Sequence, residues 1–454
     1  MAGYRPVAPK LWLRCGAAVV VHAINPPGSR WHVQASSLPD AVRAALLTPG
    51  RDGRPQPLLS FPGMDSYDVV IVGGAAVGSA AAYFLGADAA FGGSVLVLEQ
   101  DPSYTWCATT RSVASIRHQF STPGNIRMSQ FGTAFVRDLP HLLEVDGAAP
   151  DVGFREAGYL FLAGATGLAV LQRNYQTQRD CGVDVALLDP AQLQSRFPWL
   201  RVDDLAAGSL GLSGEGWLDA HSLMFAWRRK AIAQGARYLG ARARGLRRSG
   251  HRVVSVVLDD GSEVGCSVVI NAAGTGAAAL ARTAGIALPV QARKRCVFYF
   301  QTPASAPACP LVINPGGVYF RPEGAGFLCG VAPPEEQDPE CFDFEVRHEL
   351  FDDVVWPALA QRVPGFESAR VLSAWAGHYD VNTLDHNLIL GAHPEVDNLL
   401  FANGFSGHGL QQSPAVGRAL AELVVHGSFQ TLDLSEFGWS RVLANRPLRE
   451  TNVV

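Results

Sequence analysis

The sequence predicts an α/β protein in which a parallel sheet flanked by helices is combined with a second domain built on an antiparallel sheet. Two observations favour this fold. A buried strand leads through a glycine turn into a helix near residue 70, and the same order recurs near residue 404. Between them, short strands with tight turns alternate with helices. Continuous apolar strands are typical of parallel sheets, whereas short turn-linked strands are typical of antiparallel ones.

The first unit begins with a continuous apolar run, Val69 to Val72, followed by a glycine turn and an alanine-rich helix. A second apolar run, Val95 to Leu98, ends in Glu99. This is the strand–turn–helix–strand–acid order of a Rossmann-like dinucleotide-binding unit. The helix N-terminus would hold a pyrophosphate, and the acid would accept hydrogen bonds from ribose hydroxyls. The predicted binding residues here are Gly73, Gly74, Ala75, Ala76, Val77, Gly78, Glu99 and Gln100.

One position departs from the usual Gly-x-Gly-x-x-Gly spacing. Gly73 and Gly78 meet the pattern, but its middle position is Ala75. The backbone approaches the pyrophosphate most closely there. We therefore expect the turn to accommodate one additional methyl group.

Composition limits the classes of protein that need to be considered. The 454 residues carry a formal net charge of −4, so no basic excess indicates nucleic-acid binding. At about 100–150 residues per domain, this length indicates two or three structural units. The eight cysteines form no Cys-x-x-Cys pair, which favours reduced thiols and no metal site. No apolar run approaches the ~20 residues of a membrane span.

The first 63 residues differ in composition from the rest. They contain seven Lys or Arg but only two acids, Asp40 and Asp52. Either they form an extension that precedes a natural start at Met64 and is disordered, which we favour, or they are an organelle transit segment. The first alternative implies a bacterial cytoplasmic protein and the second a mitochondrial one.

The segments after Glu99 supply further candidate binding residues. A loop at residues 104–120 is rich in small hydroxyl side chains suited to lie along phosphates, among them Thr109 and Thr110. A later buried strand, Val268 to Ile270, precedes Ala273 and Gly274, which are small enough to pass beneath a cofactor.

The alternation of the elements predicts a domain that is interrupted by insertions. We expect a dinucleotide-binding domain at 64–148, 206–288 and 371–454, the last with a C-terminal tail, and a second, α+β domain at 149–205 and 289–370. A helix is predicted at residues 342–363. A second glycine turn precedes a helix near its end and contributes Gly404, Ser406, Gly407, His408 and Gly409.

Four segments together resemble a known family: DVVIVGGAAVG, SVVINAAG, AWAGHYDVNTLDHNLILG and LLFANGFSGHGLQQSPAVGRALAEL. They are similar to the D-amino-acid oxidase/sarcosine oxidase superfamily of FAD-dependent oxidoreductases. Within it, RKRCVFYF, RVPGFESARVLSAWAG and GSFQTLDLSEF resemble the FAD-dependent oxidoreductase domain-containing protein 1 group, which has a mitochondrial member implicated in the assembly of respiratory complex I. The resemblance extends from about Asp65 to the C-terminus.

The resemblance implies that the dinucleotide is FAD. The first turn would hold its ADP end, and the helix after the second turn would face the pyrimidine edge of the isoalloxazine. Substrate would lie over the flavin, on an antiparallel sheet in the second domain. The candidate substrate-contacting or catalytic residues are Arg117, Tyr319, Arg321, His378, Tyr379 and Gln411.

Several departures from the family pattern bear on activity. The cysteine that links FAD covalently in sarcosine oxidases is missing from residues 376–379, so we expect noncovalent FAD. Gln411 replaces a family lysine, and the lysine that promotes oxygen reduction would fall near Leu328. The glycine-oxidase arginine that grips carboxylate has no counterpart around Ala376. These replacements favour a dehydrogenase over a strong oxidase.

We therefore expect an enzyme that oxidises the C–N bond of a secondary or N-substituted amino acid by hydride transfer to FAD. Its electron acceptor is unknown, and a respiratory-chain or membrane-peripheral protein is a candidate partner. The alternative is a flavin-containing assembly factor for complex I with little or no catalysis. A third, weaker alternative is a 2-hydroxy-acid dehydrogenase.

Overall fold

The computed structural model describes residues 65–451, so the predicted extension at residues 1–63 lies outside the described residues. Within this range the strands are β1 Ser66–Val72, β2 Val95–Glu99, β3 Ser115–Ile116, β4 Tyr159–Ala163, β5 Val185–Leu188, β6 Ala207–Gly211, β7 Gly216–Trp217, β8 Arg237–Gly240, β9 Ala243–Ser249, β10 Arg252–Leu258, β11 Glu263–Asn271, β12 Val290–Gln301, β13 Leu311–Ile313, β14 Tyr319–Glu323, β15 Gly326–Gly330, β16 Arg370–Asn382, β17 Ile389–His393 and β18 Val396–Asn403. The α-helices are α1 Ala76–Ala87, α2 Pro123–Leu142, α3 Leu168–Asp180, α4 Pro190–Arg196, α5 Ala220–Ala233, α6 Ala277–Thr283, α7 Trp356–Arg362, α8 Gly409–His426 and α9 Trp439–Leu443.

The first sheet has a parallel centre. Strands β18, β11, β1, β2 and β8 lie side by side in that order and run parallel, with β17 antiparallel at the edge. Strands β9 and β10 extend the N-terminal half of β11 as an antiparallel meander. Because the carboxyl ends of parallel strands share one edge, the turns after β1, β2, β11 and β18 all reach the same side of the sheet.

Small residues allow the helices to pack closely on this sheet. A Cβ at Gly417 of α8 would lie 2.7 Å from the Cβ of Ala80 in α1, closer than real Cβ contacts come. The two helices pack together and against α2 and α5 in one apolar core that includes the fully buried Trp227. This close packing holds the N-termini of α1 and α8 at the same edge of the sheet.

The second sheet is largely antiparallel. Its order is β16-β12-β15-β14-β13-β4-β6-β5, and β4 and β13 are its parallel neighbours. Strands β12 and β16 pair over almost their full lengths. One face carries Cys296, Phe298 and Phe300 and is covered by the segment from Phe351 through α7. The opposite face carries Tyr159 and Tyr319. This agrees with the predicted α/β fold and its antiparallel second sheet.

Two predicted domain boundaries and one predicted helix differ from the structure. Strand β16 pairs with β12, so residues 371–382 lie in the second sheet rather than with the dinucleotide-binding part. Likewise β6 pairs with β4 and β5, beyond the predicted boundary at 205/206. The helix predicted at 342–363 begins later, with a π-helical turn at Phe351–Val355, since residues 341–347 have no regular secondary structure.

The described residues contain no helix long and apolar enough to cross a membrane. The seven cysteines within this range are free thiols, as the scattered spacing predicts.

Candidate dinucleotide and substrate site

The first glycine turn lies between β1 and α1 and is built by close backbone contacts. Gly73 has a φ of +101°, and a Cβ there would lie 2.2 Å from the carbonyl oxygen of Ala272. A Cβ at Gly78 would lie 1.8 Å from the carbonyl oxygen of Gly73. Both positions therefore require glycine, the first for its conformation and the second for space. Ala75 has an ordinary φ of −74°, which a residue with a side chain adopts without strain.

Glu99 lies at the carboxyl end of β2, beside this turn. Its Oε2 accepts a hydrogen bond from the amide of Gly74 at 2.8 Å, and its Oε1 accepts one from the amide of Asp101 at 2.9 Å. Burial raises the pKa of this carboxyl, while the two amides favour its charged form. The turn and the acid are thus joined directly, which fixes the position of Glu99.

A cavity of about 590 Å³ extends from the first glycine turn to the second. The N-termini of α1 and α8 both contribute to its wall. Most of the predicted binding residues line it, namely Gly73, Ala75, Ala76, Val77, Glu99, Gln100, Thr109, Ala273, Gly274, Gly407, Gly409, His378 and Tyr379.

The remaining predicted binding residues do not line the cavity, although they belong to the same turns and loop as residues that do. The predicted roles of Gly74, Gly78, Gly404, Ser406 and His408 are therefore supporting ones in this structure. Thr110 does not line the cavity either, and its hydroxyl donates to the carbonyl oxygen of Tyr104 at 2.6 Å. A direct phosphate contact by Thr110 does not agree with this geometry.

The second glycine turn is fastened to β16 by a carboxylate. Oδ2 of Asp380 accepts a hydrogen bond from the amide of Gly404 at 2.8 Å, and Ser406 donates its amide to the carbonyl oxygen of Asp380 at 3.1 Å. Gly407 has a φ of +96°, and a Cβ there would lie 2.4 Å from the ring of Tyr379. The turn therefore packs directly on β16, which brings Tyr379 and the start of α8 together.

Arg117 lies behind the start of α8 and outside the cavity wall. Its Nη2 lies 3.0 Å from Nε2 of His408, its Nη1 donates to the carbonyl oxygen of Gln119 at 2.7 Å, and its backbone amide donates to Oε1 of Gln411 at 2.9 Å. The guanidinium also lies over the ring of Phe120 at 4.1 Å. The structure thus brings the predicted Arg117, His408 and Gln411 into one buried cluster.

His408 is neutral in this cluster. Burial and the charge of Arg117 hold the pKa of its imidazole well below the usual range. Since arginine has no acceptor, Nε2 of His408 accepts the hydrogen bond from Arg117. The positive charge of Arg117 therefore sits directly behind the positive end of the α8 dipole.

Arg321 and Tyr319 also lie outside the cavity wall. The guanidinium of Arg321 donates to the carbonyl oxygen of Val113 at 2.9 Å and forms an ion pair with Glu323. Tyr319 packs in an apolar cluster of the second sheet, and burial raises the pKa of its hydroxyl. These contacts assign Arg321 a role in joining the second sheet to the 104–120 loop.

His378 and Tyr379 line the cavity as predicted. His378 is 7% exposed, and its Nε2 has no hydrogen-bond partner within the described part of the chain. Burial lowers the pKa of its imidazole, so the ring is neutral near pH 7. Beside it, the guanidinium of Arg295 lies 5.1 Å from the centre of the Tyr379 ring. The cavity wall therefore contains one imidazole nitrogen without a partner, and a cation lies near the ring of the adjacent wall residue Tyr379.

Sequence reasoning missed several residues of the site. Asp380 lines the cavity, and burial raises the pKa of its carboxyl to about 6. Its position directly after Tyr379 was a usable signal, since a buried acid within a strand needs partners. The cavity is also lined by Trp106, Cys107, Arg242 and Arg244, which belong to none of the sequence motifs described above.

The site fits an extended dinucleotide. One cavity brings together two glycine turns that a Cβ would block, two helix N-termini and a buried acid at the end of β2. Helix N-termini suit the pyrophosphate of a dinucleotide, and the acid suits its ribose hydroxyls. Within residues 65–451 no cluster of three or more His, Cys, Asp or Glu could hold a metal ion.

Comparisons with known proteins agree with this geometry. The family model described as FAD-dependent oxidoreductase (DAO) matches residues 68–423. FAD-dependent oxidoreductase domain-containing protein 1 of Xenopus laevis is 43% identical over 423 residues, which cover 85% of each chain. Mitochondrial sarcosine dehydrogenase of Mus musculus is 27% identical over 433 residues, covering 91% of this chain and 45% of that protein. The crystal structure of glycine oxidase from Geobacillus kaustophilus superposes with a TM-score of 0.71 at 25% identity, covering 83% of this chain and 98% of that one.

Proposed function

The chain belongs to the DAO family of FAD-dependent oxidoreductases, and on that basis we propose that it oxidises the C–N bond of a secondary or N-substituted amino acid. FAD, when bound, supplies the acceptor for the hydride that leaves the carbon next to nitrogen. The single observation that carries the substrate class is the unpaired Nε2 of His378 in the cavity wall, next to Tyr379, whose ring lies 5.1 Å from the guanidinium of Arg295.

Three residues of the chain would accept a proton, contact the substrate and stabilise negative charge. His378 is neutral, so Nε2 can accept the proton that an ammonium group must lose before oxidation. Tyr379 forms the wall against which the substrate packs, and its ring holds the Gly407 turn in place. Arg117, behind α8, adds positive potential at the end of the cavity formed by Gly407 and Gly409.

FAD is bound without a covalent link. Residues 376–379 contain no cysteine. Burial raises the pKa of the Cys107 thiol in the cavity wall, so it stays protonated and weakly nucleophilic. Acid precipitation of the holoprotein should release the yellow cofactor into the supernatant, and colour retained in the pellet would contradict noncovalent binding.

The enzyme acts as a dehydrogenase rather than a strong oxidase. Leu328, at the position where the family resemblance places an oxygen-activating lysine, is buried on β15 opposite Arg321. Without a cation at this position, reduction of oxygen is slow, and electrons pass to another acceptor. The acceptor is a protein or small molecule of unidentified class.

The test is anaerobic mixing of holoprotein with N-methyl, cyclic and D-amino acids. Bleaching of the flavin absorbance by at least one of them supports the proposal.

The alternative is an assembly role in respiratory complex I with little catalysis. This alternative is favoured because the guanidinium groups of Arg117 and Arg321, two candidate substrate contacts, are bound to backbone carbonyl oxygens and do not line the cavity. Absence of bleaching across the panel, together with lost complex I assembly in a deletion strain, would support this alternative.

A further inference from the structure

Residues 338–344, which we term the lid segment, lie between β15 and α7 without regular secondary structure. They run along an edge of β12 that β15 leaves open, because β15 pairs only with residues 297–300 whereas β16 pairs with residues 290–301. The amide of Cys341 donates to the carbonyl oxygen of Ala292 at 2.9 Å, and Glu340 forms an isolated bridge with Arg293. The backbone of the segment is thus held to β12 at residues 340–341.

The lid segment reaches the wall of the cavity through Phe344. The Phe344 ring lies 4.3 Å from the ring of His378 and 4.7 Å from that of Trp106, and both of these residues line the cavity. The guanidinium of Arg111 lies 4.8 Å from the same ring. Movement of the lid segment would therefore change the surroundings of His378.

Two ion pairs fasten the lid segment to β12. Both carboxylate oxygens of Asp338 accept hydrogen bonds from the two Nη atoms of Arg295 at 2.8 Å, and Nζ of Lys294 donates to Asp343 at 2.6 Å. The Arg295 and Asp338 side chains are only 15% and 12% exposed. Two parallel hydrogen bonds from a guanidinium are also how arginine recognises the carboxylate of a ligand.

The position of Arg295 connects this pair with the substrate region. Arg295 lies opposite Gly377 on β16, and its guanidinium lies 5.1 Å from the Tyr379 ring in the cavity wall. We propose that Asp338 occupies on Arg295 the place of a substrate carboxylate, and that an amino-acid substrate displaces Asp338 and thereby releases the lid segment. This proposal rests on the proposed function, because it needs a substrate that carries a carboxylate.

The consequence is selection for anionic substrates. A carboxylate can compete with Asp338 for both Nη atoms, whereas an uncharged amine cannot, so only the former would open the lid segment. The exchange makes and breaks hydrogen bonds alone and needs no further reactant.

The test uses acetate as the probe and the FAD-loaded protein. Hydrogen exchange of peptides covering residues 332–350 is followed by mass spectrometry at increasing sodium acetate, with sodium chloride at equal ionic strength and acetamide as comparisons. The variants are Asp338→Asn, Arg295→Lys and, as a control, Glu336→Gln, an exposed acid two residues from Asp338. Thermal melting checks that each variant is folded.

Acetate should accelerate exchange of residues 338–344 in the wild type and in Glu336→Gln, whereas chloride and acetamide should not. Asp338→Asn should exchange fast without acetate. Titrated through the flavin difference spectrum, it should bind acetate about tenfold more tightly, because its internal competitor is weakened. Arg295→Lys should lose the acetate response, since lysine cannot make the paired hydrogen bonds.

Equal acetate affinity in Asp338→Asn and wild type, with unchanged exchange of the lid segment, would overturn the proposal and leave Asp338 a static structural ion pair. This outcome is separable from failure of the proposed function. Acetate binding requires no turnover, whereas the proposed function is judged by reduction of the flavin with amino acids.

Discussion

Nη2 of Arg117 lies 3.0 Å from Nε2 of His408, and both side chains are buried behind the N-terminus of α8. The contact places a permanent positive charge next to a helix end that already carries positive potential. Because Gly407, Gly409 and Leu410 at this helix end line the cavity, the pair acts on the cofactor through the helix rather than by touching it.

Replacing Arg117 by methionine should therefore lower the midpoint potential of bound FAD, by roughly 30–60 mV, equivalent to about 1.4–2.8 kcal/mol for a two-electron couple. The variant removes the charge while keeping an extended apolar stem. Equilibrium dye titration of the flavin measures the shift. Arg137→Met is the matched control, since Arg137 is a surface residue paired with Glu156 and should leave the potential unchanged.

A change of one methyl group in the first glycine turn should be costly at Gly78 and tolerated at Ala75. Gly78→Ala should cost about 3–5 kcal/mol of unfolding free energy, because its Cβ would lie 1.8 Å from the Gly73 carbonyl oxygen. Ala75→Gly should change FAD affinity by less than about threefold, since Ala75 adopts an ordinary φ. Urea unfolding and FAD titration measure the two effects. A large loss of affinity in Ala75→Gly would mean that its methyl group contacts the cofactor.

Asp380 should make stability depend on pH. Burial raises its pKa from 3.8 to about 6, so the folded protein holds this proton more tightly than the unfolded chain does. The contribution is fully present below about pH 4 and is lost as pH rises through about 6, a decrease on the order of 2–3 kcal/mol. Urea unfolding between pH 4 and 7.5 should show that the difference between wild type and Asp380→Asn has this slope. A pH-independent difference would refute the assignment.

Leu328 offers a test of the preference for dehydrogenase chemistry. Flavin reduced photochemically in the wild type should be reoxidised slowly by air-saturated buffer. Leu328→Lys should accelerate reoxidation at least about tenfold, since it restores a cation where the family resemblance places one that stabilises the negative charge developing on oxygen. Leu328→Met controls for repacking of the strand. Fast reoxidation of the wild type would instead indicate an oxidase.

Local patterns predicted the parts of the site that depend on local chemistry. The first turn and Glu99 lie together because a strand, a glycine turn, a helix and a second strand are consecutive in sequence, so the Glu99–Gly74 hydrogen bond joins neighbouring elements. The start of α8 was predicted for the same reason, from Gly404 to Gly409. The overall α/β fold with a second, antiparallel sheet also agrees with the structure.

The remaining features depend on pairing between distant segments. Strand β16 joins β12 about 80 residues away in sequence, and this register, not any motif, sets Arg295 beside Tyr379 and moves the boundary to beyond Asn382. The lid segment lies against β12 because Asp338 and Asp343 pair with Arg295 and Lys294 of that strand, which sequence periodicity does not reveal. Arg117 was predicted as a contact residue, yet its direction toward His408 is set by tertiary packing.

The most direct test of the proposed activity is a single turnover without oxygen. Holoprotein mixed anaerobically with an excess of N-methyl or cyclic amino acid should lose its oxidised flavin absorbance, with one equivalent of the C–N oxidation product formed per flavin. Mass spectrometry of the filtrate measures the product, and dithionite confirms that the same flavin is reducible. Full reduction by dithionite without bleaching or product from any amino acid in the panel would contradict the proposal that this chain is an amino-acid oxidoreductase.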